Sequence, residues 1–251
     1  DAVPITPPED HRRRSIDRRL TDNAPPPPQP PAPADWRETL FVWQGIVTYN
    51  PTKRRCNWVG SWAPQVSHAD GPPTSRDFET HQENTFVLHR VLDKRIDLGR
   101  ATDIPEVLYG RSLSWLGFYK LDQDDGKGRQ RLVDFSHLFM VQPVEQTTVS
   151  SEDGSSNDNE KLLGTAIGVG SNEFGNFISV GRLVEVTTPP EPDGDDNDIE
   201  TKIHLTMARR YISNNDKRSK WNTPKDAMKE LNLETLKSSN DYWTVIPTKV
   251  K

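Results

Sequence analysis

From Trp36 to Ile212 the chain is a succession of short stretches in which apolar side chains tend to fall on every second residue, each closed by a polar or glycine-rich segment. A period of two is the repeat of an extended chain with one face buried, whereas a core-facing helix repeats at close to 3.6 residues. The cleanest example is Val133-Asp134-Phe135-Ser136-His137-Leu138-Phe139-Met140, in which Val133, Phe135, His137 and Phe139 share one face while Asp134 and Ser136 begin the other. Ile203 to Ile212 reads the same way, with Ile203, Leu205, Met207 and Tyr211 on one side and His204 and Thr206 on the other.

Further strands are expected where the first dense apolar material begins at Trp36 and continues through Leu40, Phe41, Val42, Trp43, Ile46 and Val47, with a bend at Gly45. They are also expected at Trp58 to Trp62, where the two tryptophans lie four residues apart and so point to one face, and at Thr85 to Leu92. Leu113 to Leu121 is another, and Asp122 to Arg129 then supplies the turn that returns it into the 133–140 stretch. Residues 162–184 read as a hairpin, two β-compatible halves around Gly170, Asn172 and Gly175, residue types that tolerate positive φ. The end of the chain changes character: Thr223 can cap a helix with Pro224 at its first position, and Ala227, Met228, Leu231 and Leu236 follow at helical spacing. One amphipathic C-terminal helix is expected there, with Tyr242 to Ile246 returning as a short strand or an apolar clip.

Roughly six to nine strands with no helices alternating between them exclude a βαβ architecture. The expectation is an all-β, antiparallel up-and-down β-barrel or barrel-like sandwich, with a short C-terminal helix and long polar loops; the barrel is preferred because sequence neighbours can pair throughout. Only 32% of the 251 residues are hydrophobic and 21 are proline, so much of the chain must stay unburied. About 100 residues sit in polar blocks, leaving roughly 150 for a single core. Residues 1–35, with Arg12-Arg13-Arg14 and the tract Pro25 to Pro31, are expected as a disordered tail. Residues 36–222 then form the barrel, with mobile loops near 63–83, 143–160 and 187–199, and 223–251 the C-terminal helix and tail.

The 32 basic and 37 acidic groups are spread along the chain, with no sustained basic face, so no nucleic-acid partner is expected. No apolar run approaches the roughly 18 residues of a membrane span. Cys56 is the sole cysteine, which rules out an intrachain disulfide and leans toward a reducing, intracellular home. A first residue of Asp1 rather than Met leaves the compartment open, since a leader can have been removed.

The sequence carries few patterns of catalytic or cofactor chemistry. Gly168-x-Gly170 with Gly175 lacks the spacing of a phosphate-cradling loop and leads into a strand rather than a helix. No G-x-S-x-G elbow or H-E-x-x-H helix occurs, and Asp193, Asp195, Asp196 and Asp198 lack the ligand order of a calcium loop. No cofactor is called for. Four residues stand as candidates for a ligand site inside a barrel: Trp58, Trp62 and Trp115, which can line an apolar pocket although such side chains more commonly fill a core, and His137, which can ligate a metal or haem. His204 is a second strand histidine.

The order Trp58-x-Gly60-x-Trp62, Gly117-Phe118-Tyr119, Gly175-Asn176-Phe177-Ile178-x-x-Gly181 and a closing strand ending in Arg210-Tyr211 loosely resembles small calycin-like barrels such as lipocalins, avidins and nitrobindins. The likeness spans about residues 40–212 and implies a barrel fold; it transfers no binding residue. Three functions are then in play. The leading expectation is a non-enzymatic interaction or scaffold module that contacts protein partners through its loops and Pro-rich tail. The alternative is a carrier of a small apolar ligand or haem in the barrel interior. The third is an enzyme with dispersed residues such as His137 with Asp134 or His204.

Overall fold

In the computed structural model, which describes residues 36–92, 104–123, 128–145, 160–188 and 200–248, eight antiparallel strands close into one barrel in sequence order. They are β1 Leu40–Asn50, β2 Arg55–Gln65, β3 Thr85–Val91, β4 Leu113–Gln123, β5 Gly128–Pro143, β6 Glu160–Asn172, β7 Gly175–Thr188 and β8 Glu200–Ile212. Closure is made by β1 against β8, from Phe41 opposite Arg209 to Val47 opposite Ile203, so neither strand is left with an unpaired edge. The barrel, not the sandwich, is the fold. Trp36 to Glu38 form a single 3-10 turn before β1 rather than its first residues. The tail 1–35 and most of the loops expected at 143–160 and 187–199 lie outside the described residues.

The inward side chains form one apolar core that includes Trp43, Trp58, Phe86, Leu88, Trp115, Phe139, Leu205 and Met207. Its aromatic rings pack in stacked and edge-on arrangements, Trp115 against Phe139 at 4.8 Å between centroids and Trp58 against Phe86 at 4.7 Å. A short helix, α2 (Ile104–Leu108), adds Val107 and Leu108 to this core beside Leu113, Val141 and Leu163, and so plugs one end of the barrel. Nothing in the sequence pattern flagged α2. Cys56 is buried in the same core, and burial pushes its thiol up to about 12, which makes it an inert packing residue.

A second core covers the outside. Outward residues of β1 and β5 to β8, among them Leu40, Met140, Ile167, Ile178 and Ile212, pack against Ala227, Leu233, Leu236, Tyr242, Val245 and Ile246 from the C-terminal segment. This is why β6 and the start of β7 read as nearly continuous apolar runs: both of their faces are buried. The single helix expected after Thr223 is instead two short turns, α3 (Pro224–Met228) and α4 (Thr235–Ser238), and a third turn, α5 (Tyr242–Val245), follows. The cap is where it was expected, with Thr223 accepting from the Asp226 N–H at 3.3 Å and Asp226 accepting in return. The run is interrupted at Asn232, whose side-chain carbonyl accepts from the Glu234 N–H at 3.1 Å and turns the chain before α4. Tyr242 to Val245 is a helical clip rather than a strand, held by Arg210, whose Nε donates to the Ile246 carbonyl at 2.6 Å.

Two further expectations are corrected. Residues 63–83 are not a plain loop: β2 runs to Gln65, and a 3-10 turn at His68–Asp70 and helix α1 (Ser75–Thr80) follow, each started by a capping box. The face assigned to 133–140 is also broken, because the register across β4 and β5 shifts between Trp115 opposite His137 and Gly117 opposite Asp134. Two residues of β5 therefore face one of β4, a β-bulge that reverses the phase of the alternation. Asp134 and His137 both end up buried, whereas Val133, assigned to the inner face, is 47% exposed.

Candidate functional site

The end of the barrel opposite α2 is hollow. A half-open cavity of about 290 Å³ is walled by Trp36, Phe41, Trp43, Trp62, Tyr119, Leu121, Phe174 and Tyr211. These come from the turn before β1, from β1, β2, β4 and β8, and from the β6–β7 turn. Most of these rings stand edge-on to one another, Trp36 against Tyr211 at 5.2 Å, Phe41 against Trp62 at 5.8 Å and Phe174 against Tyr211 at 6.0 Å, while Trp43 and Trp62 are stacked at 6.3 Å. Eight strands give an interior just wide enough to be filled by side chains or to hold one small molecule; this barrel does the first at its centre and leaves room for the second at its mouth.

Polar groups are few; the Trp43 indole N–H has no partner among the described residues, and the two tyrosine hydroxyls are linked to one another through Asn172. The β6–β7 turn places Asn172, whose side-chain carbonyl accepts from the Phe174 N–H at 3.0 Å. Its amide Nδ2 then donates to the Tyr211 hydroxyl at 2.9 Å and, less closely, to the Tyr119 hydroxyl at 3.4 Å. Tyr119 in turn donates to Glu173 Oε1 at 2.9 Å, and burial with neighbouring Tyr211 and Glu173 raises its pKa.

Behind the cup lies a buried charge cluster. Arg209 Nη2 donates to Asp134 Oδ2 at 2.9 Å and reaches His137 Nδ1 at 3.3 Å, while Nη1 lies 3.5 Å from the Tyr211 hydroxyl. The guanidinium is sandwiched between the rings of Trp43 and Phe177, 4.2 and 4.0 Å from their centroids. Burial works against its charge, but Tyr211 and Asp134 offset this and Arg209 keeps its proton. His137 is pushed down to about 3, chiefly by burial and then by the Arg209 cation, with Asp134 pulling the other way, so the ring is neutral. Because Nδ1 receives the Arg209 proton, Nε2 carries the hydrogen; it has no partner among the described residues and faces β6 at Gly168, where an added Cβ would sit 3.2 Å away.

The four candidates from the sequence thus all point inward but not to one place. Trp62 lines the cup, its indole N–H donating to the Lys120 carbonyl at 3.2 Å. Trp58 and Trp115 lie deeper, fully buried in the packed core, Trp58 donating to the Leu205 carbonyl at 3.1 Å. His137 sits behind the cup with Arg209 rather than in its wall. Asp134 joins it there, whereas His204 is half-buried on the outer face of β8. Arg209 and the cup residues Phe41, Tyr119, Phe174 and Tyr211 are what the sequence reading did not single out. Arg209 had a signal, since period two places it on the inner side with Met207 and Tyr211.

Among the described residues no three His, Cys, Asp or Glu side chains gather to hold a metal ion, and no helix is long and apolar enough to cross a membrane. No family model matches this chain, and neither a curated protein nor a solved structure does.

Proposed function

We propose that the protein binds and carries a small, flat, apolar molecule in the cup at the open end of its barrel. The observation that carries this reading is that seven aromatic residues surround one half-open cavity of about 290 Å³ above a centre packed with side chains such as Trp58, Phe86 and Trp115. Ligand sites of globular proteins start at about 300 Å³ and are mostly apolar with a few placed polar groups. A two-ring aromatic body matches that size. The resemblance of the strand motifs to calycin-like barrels supports the same reading, because barrels of that type hold apolar ligands at an open end. The haem variant finds no support in the geometry, since His137 is engaged by Arg209 and does not line the cup.

The reading is tested by titrating 2-ethylnaphthalene into the full chain and following tryptophan fluorescence and heat. Saturable one-to-one binding is expected, weakened about tenfold or more by Trp62→Ala, which removes one wall. Absence of binding at the solubility limit of the probe, or binding indifferent to Trp62→Ala, refutes it.

A further inference from the structure

Resting on the cup as the binding site, we propose that its ligand carries a neutral hydrogen-bond-accepting oxygen, a ketone, aldehyde or ester carbonyl on the flat apolar body, and that the Tyr211 hydroxyl is the donor that selects for it. A phenol has one proton to give and two lone pairs with which to accept. Both lone pairs of Tyr211 are taken, by Asn172 Nδ2 at 2.9 Å and by Arg209 Nη1 at 3.5 Å. The direction of the first bond is fixed, because the Asn172 carbonyl oxygen is already the acceptor for the Phe174 N–H and the amide cannot be turned round. The Tyr211 proton therefore has no acceptor among the described residues, and the ring that bears it lines the cup. Tyr119 provides the contrast: it borders the same cavity, but its proton goes to Glu173.

A buried donor without a partner is costly, and a ligand oxygen placed against it recovers that cost. The Arg209 cation, donating to the same hydroxyl, makes it a stronger donor. A carboxylate would meet the Tyr211 proton as well, but no cationic side chain is among the residues that wall the cup, Asp134 already pairs with Arg209 and Glu173 accepts from Tyr119, so a negative charge is less well met there than a neutral oxygen. A neutral acceptor oxygen is what remains, of which a carbonyl is one kind.

The test compares two probes of one shape, 2-acetonaphthone and 2-isopropenylnaphthalene, which differ by =O against =CH₂, with 2-naphthoate as a third. Calorimetric titration of the full chain is expected to show the ketone binding about three- to tenfold more tightly than the alkene. Tyr211→Phe should remove that gap, bringing ketone and alkene to the same affinity as each other, and the carbonyl ¹³C resonance of the ketone should move downfield on binding to the unaltered protein. The resonance keeps the test decisive if the variant does not fold. Equal affinity of ketone and alkene, or no downfield shift, overturns the Tyr211 proposal and leaves the cup standing. Naphthoate binding as tightly as the ketone overturns the preference for a neutral oxygen. If none of the three binds, the cup itself is not a ligand site.

Discussion

Arg209→Met isolates the buried ion pair behind the cup, because it keeps an unbranched side chain of similar reach between Trp43 and Phe177 while removing the cation. Arg209 and Asp134 are 1% and 0% exposed and meet at 2.9 Å, so the variant strips a fully buried carboxylate of its opposite charge. Breaking one partner out of a buried pair costs about 3–5 kcal/mol, mostly the penalty of the charge left behind rather than the worth of the bond. The sign of the pH dependence follows. An ionised Asp134 is held less well than a protonated one once Arg209 is gone, so the loss is expected to be larger at pH 7 than at pH 4. Adding Asp134→Asn removes the stranded charge and is expected to return most of the loss at pH 7. Urea unfolding of the two variants and the parent at pH 4 and pH 7 measures all of this. A loss under about 1 kcal/mol in the single variant, or a double variant no better than the single at pH 7, refutes the assignment of a charged, desolvated pair.

His137 gives a second pH signature. Its folded pKa of about 3 lies below the ordinary histidine value of 6.5, so the unfolded chain takes up a proton that the barrel refuses. Stability is therefore full above about pH 6.5 and falls by about 1.4 kcal/mol per pH unit as pH drops toward 3; His137→Gln should lose that slope, and parallel curves for parent and variant would count against a neutral buried ring. Two glycines should separate by mechanism. At Gly168 an added Cβ comes within 3.0 Å of Phe139 Cβ and 3.2 Å of His137 Nε2, and Gly168→Ala should cost about 1–3 kcal/mol as those side chains give way. At Gly117 the Cβ would lie 1.9 Å from the Val87 carbonyl oxygen, a backbone atom of the paired strand, so Gly117→Ala should exceed about 4 kcal/mol or fail to fold; equal melting shifts for the two would show that the strand approach is looser than described.

Local repetition was enough to show that the chain folds as strands. The two-residue period at Ile203 to Ile212, the glycine-rich turn at Gly175 with its φ of 119° and the Thr223 cap are each written in a few neighbouring residues, and each is realised where it was read. Alternation also carries Arg209 to the inner side, between Met207 and Tyr211, although as a charged residue it is not singled out by the apolar pattern. What alternation lacked was the partner, because the bulge that turns Asp134 inward arises from how β5 pairs with β4, a relation between distant residues that leaves no mark in the order apolar, polar, apolar along one strand. The cup is of the same kind. Phe41, Tyr119, Phe174 and Tyr211 become neighbours only when β1 meets β8 and the β6–β7 turn settles at the mouth. Side-chain direction is a local property of an extended chain, but which side chains face each other across a closed wall depends on register and closure, and those are decided by the whole barrel at once.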